Sequence, residues 1–266
     1  MPDFLLQSRR ERVVTLTLNR PDARNAFSHA DQFAEVTATL ESIRRDATVS
    51  AIVLTGAGSA FCAGGDVKDF RNRTNFAAGS ALDLRNTYRH DLQRMIAALY
   101  DLDIPTIAAV NGPAIGLGND LACCCDIRIA SVNALFAESF IRLGLIPGDG
   151  GAWFLQRIVG ISNAAEMLFT GDTIDANEAL RIGLVSRVVE REELLPAADA
   201  LAGKIAAHPP QTLRLSKRLL REAQRAPLET VYELSAAFQA LVQRSDDHQE
   251  AVDAAAEKRP PSYTGQ

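Results

Sequence analysis

"TIAAVNGPAIGLGNDLACCCDIRIAS", residues 106–131, runs from a buried strand through a glycine-rich turn into a helix start and on to a second strand. It offers two kinds of chemistry. A metal or redox site would use Cys123, Cys124 and Cys125, whereas an acid–base enzyme would use Asp120 and the backbone of the turn. Adjacent residues in a regular element point in different directions, so three consecutive cysteines cannot face one ion. The chain has only Cys62 besides them, no C-x-x-C pair, and no histidine nearer in sequence than His90. Zinc sites need that spacing. Cysteine is also among the residues most often buried. We therefore read the three as small core residues at a helix end and expect no metal.

A second loop has the same form. "VLTGAGSAFCAGGD" (53–66) again leaves a strand, turns on glycines and starts a helix. Glycine lets backbone amides approach a ligand, and the first turn of a helix leaves N–H groups free. Two such groups converging would hold a developing oxyanion on a carbonyl. Neither loop is G-x-x-x-x-G-K-[ST] or G-x-G-x-x-G, the phosphate-binding alternatives.

Around these loops, short apolar strands alternate with helices, the pattern of a covered, partly parallel sheet. Residues 3–8 and 12–19 read as a hairpin, and 51–56, 106–112, 126–131 and 184–189 as strands. Helices are expected near 29–47, 81–102, 149–159, 161–169 and 175–182. Residues 67–80 are polar and mixed, with no clear element. Beyond residue 190 the strand signals stop, and helices broken at "HPP" (208–210) and Pro227 follow. The expected organisation is an α/β core over residues 1–190 with a helical region over 191–266. The chain has 266 residues, 47% apolar and 23% charged, with a formal net charge of −5. That charge argues against nucleic acid as a main partner. No apolar run approaches the ~20 residues that span a bilayer. No membrane association is expected, and a cytoplasmic location is.

Four segments carry a family resemblance: "LNRPDARNAFS" (18–28), "AFCAGGDVKDF" (60–70), "AAVNGPAIGLGNDLACCCDIRIAS" (108–131) and "RLGLIPGDGGAWFLQRIVG" (142–160). With "TGDTIDANEALRIGLVSRVV" (170–189) and the "EKRPPSYTG" tail they resemble the crotonase superfamily of enoyl-CoA hydratases and isomerases, in order along nearly the whole chain. The resemblance implies a spiral of ββα turns with a helical C-terminal trimerisation region, often forming hexamers. It implies an acyl-CoA thioester substrate and no separate cofactor. The positions of Gly65 and Leu117 match those whose N–H groups hold the thioester oxygen. Arg24 and Ala26 resemble the segment lining the CoA cleft. Ala63, Asp66 and Val67 match positions flanking the thioester and CoA, and Lys258 resembles a tail lysine that approaches the CoA phosphates.

Asp120 matches the position where family hydratases carry a catalytic Glu and dienoyl-CoA isomerases an Asp. It lies three residues beyond Leu117, so it is expected beside the oxyanion donors as the main base. The second acid of the hydratases falls at Phe140, which cannot transfer a proton. Glu138 is two residues off that match. Asp149 is one residue beyond the Asp of dienoyl-CoA isomerases and of a ring-epoxide phenylacetyl-CoA isomerase, where this chain has Gly148. Two acids, Asp120 and Asp149, flanking an apolar slot suit a proton shuttle better than addition of water. The expected activity is enoyl-CoA double-bond isomerisation. The alternatives are a 2-enoyl-CoA hydratase of fatty-acid β-oxidation, a ring-epoxide isomerase of phenylacetyl-CoA catabolism, and an RNA-binding relative using the basic helix "RLSKRLLREAQR" (214–225). Trp153, Phe154 and residues 67–101 are candidates for the acyl pocket wall.

Overall fold

The structure, a computed structural model, describes residues 3–265; Met1, Pro2 and Gln266, at the ends of the two expected regions, lie outside the described residues. The hairpin forms from β1 (Leu5–Arg10) and β2 (Val13–Leu18), with Leu5 opposite Leu18. Alternation in β2 buries Val14, Leu16 and Leu18 on one face, as a half-covered strand requires. Helix α1 (Ala30–Arg45) carries the chain to β3 (Ala51–Gly56), parallel to β2 and buried along almost its whole length.

The next segment departs from expectation. Residues 67–80 form α2 (Val67–Asn72) and a short 3-10 turn, Asn75–Ala77. Asp66 caps α2 by accepting from the Lys68 N–H, and the buried Asp69 carboxylate accepts from Ser28 Oγ, Thr74 Oγ1 and Asn75 Nδ2. A local polar network with aromatic anchors at Phe70 and Phe76 orders what composition reads as loop. The expected helix over 81–102 is α3 (Ala81–Thr87) and α4 (Gln93–Tyr100), joined by a π-helical turn at Tyr88–Leu92.

Then follow β4 (Thr106–Val110), β5 (Ala114–Ile115), α5 (Leu117–Cys124), β6 (Ile127–Ser131) and β7 (Leu135–Ala137). Helix α6 (Gly151–Thr170) contains the break expected between two helices, since Gly160 leaves helical geometry at φ 76°. After β8 (Thr173–Asp175) and α7 (Ala176–Arg181), strand β9 is only Arg187–Val189. The N–H groups of Leu184 and Val185 instead donate to the Ala179 carbonyl, closing the end of α7. The six-stranded main sheet has the order β1-β2-β3-β4-β6-β9 and is parallel except at β1; β5, β7 and β8 form a small second sheet. These three strands have two or three residues each, too short for a periodic signal.

The C-terminal helices are α8 (Leu194–Ala206), α9 (Pro210–Glu222), α10 (Leu228–Val242) and α11 (Asp246–Glu257). Leu194, Ala198 and Ala202 of α8 cover Ala51, Val53, Ile107, Ala109 and Ile129, so this helix closes the second face of the main sheet. Helix α9 is pinned by charges drawn inward. Lys217 Nζ and Arg221 Nη2 each lie 2.7 Å from Asp126, and Arg214 lies 2.5 Å from Asp103. Three cations of the basic stretch 214–225 are therefore engaged inside the protein rather than presented to a polyanion. Burial disfavours the Asp126 charge, but Lys217 and Arg221 overcome this and hold its carboxyl below the usual range.

Removing one partner of a buried ion pair leaves an uncompensated charge. Asp126→Ala strands both Lys217 and Arg221, and it should lower unfolding free energy in urea by about 3–5 kcal/mol. An unchanged midpoint would show that α9 is held by apolar packing alone.

Candidate active site

Strands β3 and β4 are parallel neighbours, so the loops that leave them emerge side by side at the carboxyl ends of the sheet. This is where α/β folds place ligands. The loops are joined through backbone. Cys62 forms a bridge with Ala114, and Ile115 N–H donates to the Cys62 carbonyl at 3.0 Å. Gly118 lies so close that a Cβ there would collide with the same carbonyl, and Gly64 turns with φ +86°. Only glycine meets both demands.

Two buried asparagines hold the first loop. Asn25 Nδ2 donates to the carbonyls of Ala57 and Ala60, each at 2.9 Å, and Asn111 Nδ2 donates to the Ala60 carbonyl at 3.1 Å. Asn111 Oδ1 accepts the Gly56 N–H at 3.2 Å. The sequence signal for both is an Asn at a chain reversal, in "ARNAF" and "VNG", a role that Asn fills through its own side chain.

Beside the loops lies a cavity of about 100 Å³ lined by Ala63, Gly65, Val67, Leu117, Phe140 and Asp149, with further aromatic walls from Phe27, Phe33, Phe70, Phe76 and Tyr88. Among the described residues the N–H groups of Gly65 and Leu117 have no acceptor, and Leu117 is the first residue of α5, where the helix supplies none. Two free donors on one apolar cavity wall form the arrangement an oxyanion needs. Ala26 is buried and is not among the cavity's lining residues, and the exposed Arg24 gives its carbonyl to the Ala63 N–H at 2.9 Å. Asp66 caps α2 and is 3.4 Å from Arg20. Lys258 is not brought to the cavity within one chain: the tail beyond it docks near the start of β2, where Arg12 donates to the Tyr263 carbonyl. Trp153 and Phe154 pack against Tyr100 and do not line the cavity.

The acids are arranged differently from the sequence expectation. Asp120, expected beside the donors, is wholly buried and does not line the cavity. Leu117 lines the cavity, whereas Asp120, nearly one turn further along α5, is buried and is not among its lining residues. It meets Glu138 instead: a Cβ on Gly151 would touch Asp120 Oδ1 and stand 2.9 and 3.0 Å from the two Glu138 oxygens. Asn119 Nδ2 donates to Glu138 Oε1 at 2.6 Å. Burial first, and then the charges of Glu138 and Asp149, push the Asp120 carboxyl far above its ordinary range. Both Asp120 oxygens and Glu138 Oε2 are buried without a hydrogen-bond partner among the described residues, and burial beside a second carboxyl favours the protonated form of Asp120.

Asp149 is the acid on the cavity wall. The glycine turn 148–151 absorbs the one-residue offset, with Gly150 at φ 114°, and directs the carboxyl inward. Burial and the Glu138 charge raise Asp149 to about 7. Its own charge adds to burial in raising the Tyr88 phenol to about 12. A carboxyl near 7 is both base and acid at neutral pH. The four thiols are free, buried and pushed up by that burial, Cys62 and Cys125 to about 12; the thiolate needed for nucleophilic or metal chemistry is suppressed.

The buried acids make stability pH-dependent. Their folded-state values lie above their unfolded ones, so the folded form holds more protons and stability falls as pH rises from about 4 to about 7. Asp120→Asn removes one titration and keeps the shape of the side chain. It should raise unfolding free energy at pH 8 by on the order of 1–3 kcal/mol and converge on the parent near pH 4. Thermal or urea unfolding at the two pH values checks this; a gain largest at pH 4 would contradict it.

The sequence profile described as Enoyl-CoA hydratase/isomerase matches residues 8–266. The 1,2-epoxyphenylacetyl-CoA isomerase of Escherichia coli is 37% identical over 265 residues, covering 100% of both chains. The short-chain-enoyl-CoA hydratase of Clostridium acetobutylicum is 36% identical, over 93% of this chain and 92% of that one. The crystal structure of enoyl-CoA hydratase from Bacillus anthracis superposes with a TM-score of 0.92 at 32% identity, covering 99% of this chain and 100% of that chain. With the ββα spiral, the paired glycine loops and these relatives together, the chain belongs to the enoyl-CoA hydratase/isomerase family, the crotonase superfamily of enzymes.

Proposed function

We propose that the protein is an acyl-CoA isomerase that relocates a double bond with one acid–base group, Asp149. The observation that carries this reading is that, among the described residues, Asp149 is the only carboxyl lining the cavity, while the ring of Phe140 lies against Gly116 beside the proposed oxyanion donors. The N–H groups of Gly65 and Leu117 hold the thioester oxygen and so acidify the α-carbon. Asp149 removes an α-proton from a 3-enoyl thioester. The electron pair spreads onto the held oxygen as a dienolate, and the same carboxyl returns the proton at the γ-carbon, giving the conjugated 2-enoyl thioester. The reaction is redox-neutral and needs no cofactor beyond the CoA of the substrate. Asp120 and Glu138 act from behind, since the Glu138 charge helps raise Asp149 into the working range.

Hydration requires one group to activate water and another to protonate the α-carbon, and Phe140 stands where the second would be. A second reading, isomerisation of a cyclic acyl group, draws on the aromatic cavity walls and on the full-length similarity to 1,2-epoxyphenylacetyl-CoA isomerase. Self-association as a trimer or hexamer belongs to the same proposal. Helix α10 buries no residue and exposes Leu228, Tyr232 and Leu241, the kind of apolar face that a neighbouring subunit covers. No described helix is long and apolar enough to cross a membrane. A cytoplasmic location is proposed on the four free cysteines, which suit a reducing compartment.

Supplied with 3-enoyl-CoA, the enzyme should form 2-enoyl-CoA at least about 10² times faster than it turns 2-enoyl-CoA into 3-hydroxyacyl-CoA, the factor an absent acid accounts for. Phe140→Glu should raise hydration. The ultraviolet absorbance of the conjugated thioester follows both reactions. Vigorous hydration with little isomerisation in the parent enzyme would restore the hydratase reading, with Glu138 as the second acid.

A further inference from the structure

Beyond the cavity lies a second, larger recess of about 580 Å³ lined by Arg85, Tyr88, Arg89, Gln93, Leu145, Ile146 and Gly148. The two spaces share Tyr88 and Leu145 as walls, so the recess continues the acyl cavity on the far side of the Tyr88 ring. That ring is packed closely: a Cβ on Gly148 would come within 2.9 Å of Tyr88 Cε1. Gln93 Nε2 donates to the Gly148 carbonyl at 2.9 Å, which ties the start of α4 to the loop carrying Asp149.

The recess is apolar along Leu145 and Ile146, yet Arg85 and Arg89 stand on its rim. Both are exposed, and neither forms an ion pair or side-chain hydrogen bond among the described residues. This contrasts with Arg214 and Arg221, which are paired inside the protein. Like charges four residues apart on a helix repel. A ligand carboxylate would relieve that repulsion, and guanidinium groups suit carboxylates geometrically.

We propose that this recess receives the distal end of the acyl group and that Arg85 and Arg89 bind a terminal carboxylate there, making CoA thioesters of dicarboxylic acids the preferred substrates. The proposal rests on the acyl-CoA reading of the cavity but not on the choice between isomerisation and hydration.

Equilibrium binding of unreactive saturated thioesters tests it. Adipyl-CoA and suberyl-CoA are compared by calorimetry with hexanoyl-CoA and octanoyl-CoA, on the parent protein and on Arg85→Ala/Arg89→Ala. The parent should bind at least one dicarboxylic thioester about 5- to 30-fold tighter than its monocarboxylic counterpart, the size of a charge-assisted hydrogen bond. The double variant should lose that preference and keep its affinity for the monocarboxylic thioesters. The readout is a difference between two ligands carrying the same CoA, so general attraction of CoA phosphates to the arginines cancels. Equal affinities in the parent, or a preference that survives the double substitution, would overturn the carboxylate site and leave the acyl-CoA cavity standing. Failure of all four thioesters to bind would overturn both.

Discussion

The active site depends on the contact between the backbones of the loops leaving β3 and β4. Parallel pairing brings these loops together, but ordinary side chains would hold them apart. Gly118 has to sit against the Cys62 carbonyl, and Gly64 has to turn with positive φ. Once the loops are this close, Gly65 and Leu117 both line one cavity, and among the described residues their N–H groups have no acceptor. Asn25 and Asn111 fix the first loop from inside, so the donors are positioned before substrate arrives. Such preorganisation is what gives an oxyanion hole its effect, because no dipole has to reorient during the reaction.

A second constraint follows from burial. Asp120, Glu138 and Asp149 are each at most 3% exposed, and among the described residues neither lysine nor arginine is bonded to them, so three full charges cannot coexist at neutral pH. The cluster resolves this by retaining protons. Burial and the neighbouring carboxyls favour a protonated Asp120, and Asp149 is raised into the range where it can both take and give a proton. On the proposed function, stability is sacrificed at neutral pH in return for a working acid–base group, as is common at functional sites.

Much of this was legible in the sequence, and the parts that were not share a cause. Strands β3, β4 and β6, the glycine loops and the burial of Cys123–Cys125 follow from apolar runs and turn residues over five or more positions. Residues 67–80 read as having no clear element because their order comes in part from Ser28, distant in sequence, bonding to Asp69. The roles of Asp120 and Asp149 turn on side-chain direction. Counting three residues from Leu117 gives the distance of Asp120 from the donors but not the face of the helix it shares. Likewise, the position of Asp149 next to the expected Gly148 says nothing of how Gly150 aims it. The recess beyond Tyr88 joins residues some sixty positions apart and leaves no local pattern.

The central claim is that Asp149, not Asp120, exchanges protons with the substrate. The most direct measurement is α-proton exchange of butyryl-CoA in deuterated water, followed by NMR with each acid replaced by its amide. Asp149→Asn should slow exchange by a factor on the order of 10²–10⁴. Asp120→Asn should leave it within about tenfold of the parent, a change of ~1.4 kcal/mol or less. Exchange that survives in Asp149→Asn and is lost in Asp120→Asn would contradict the account.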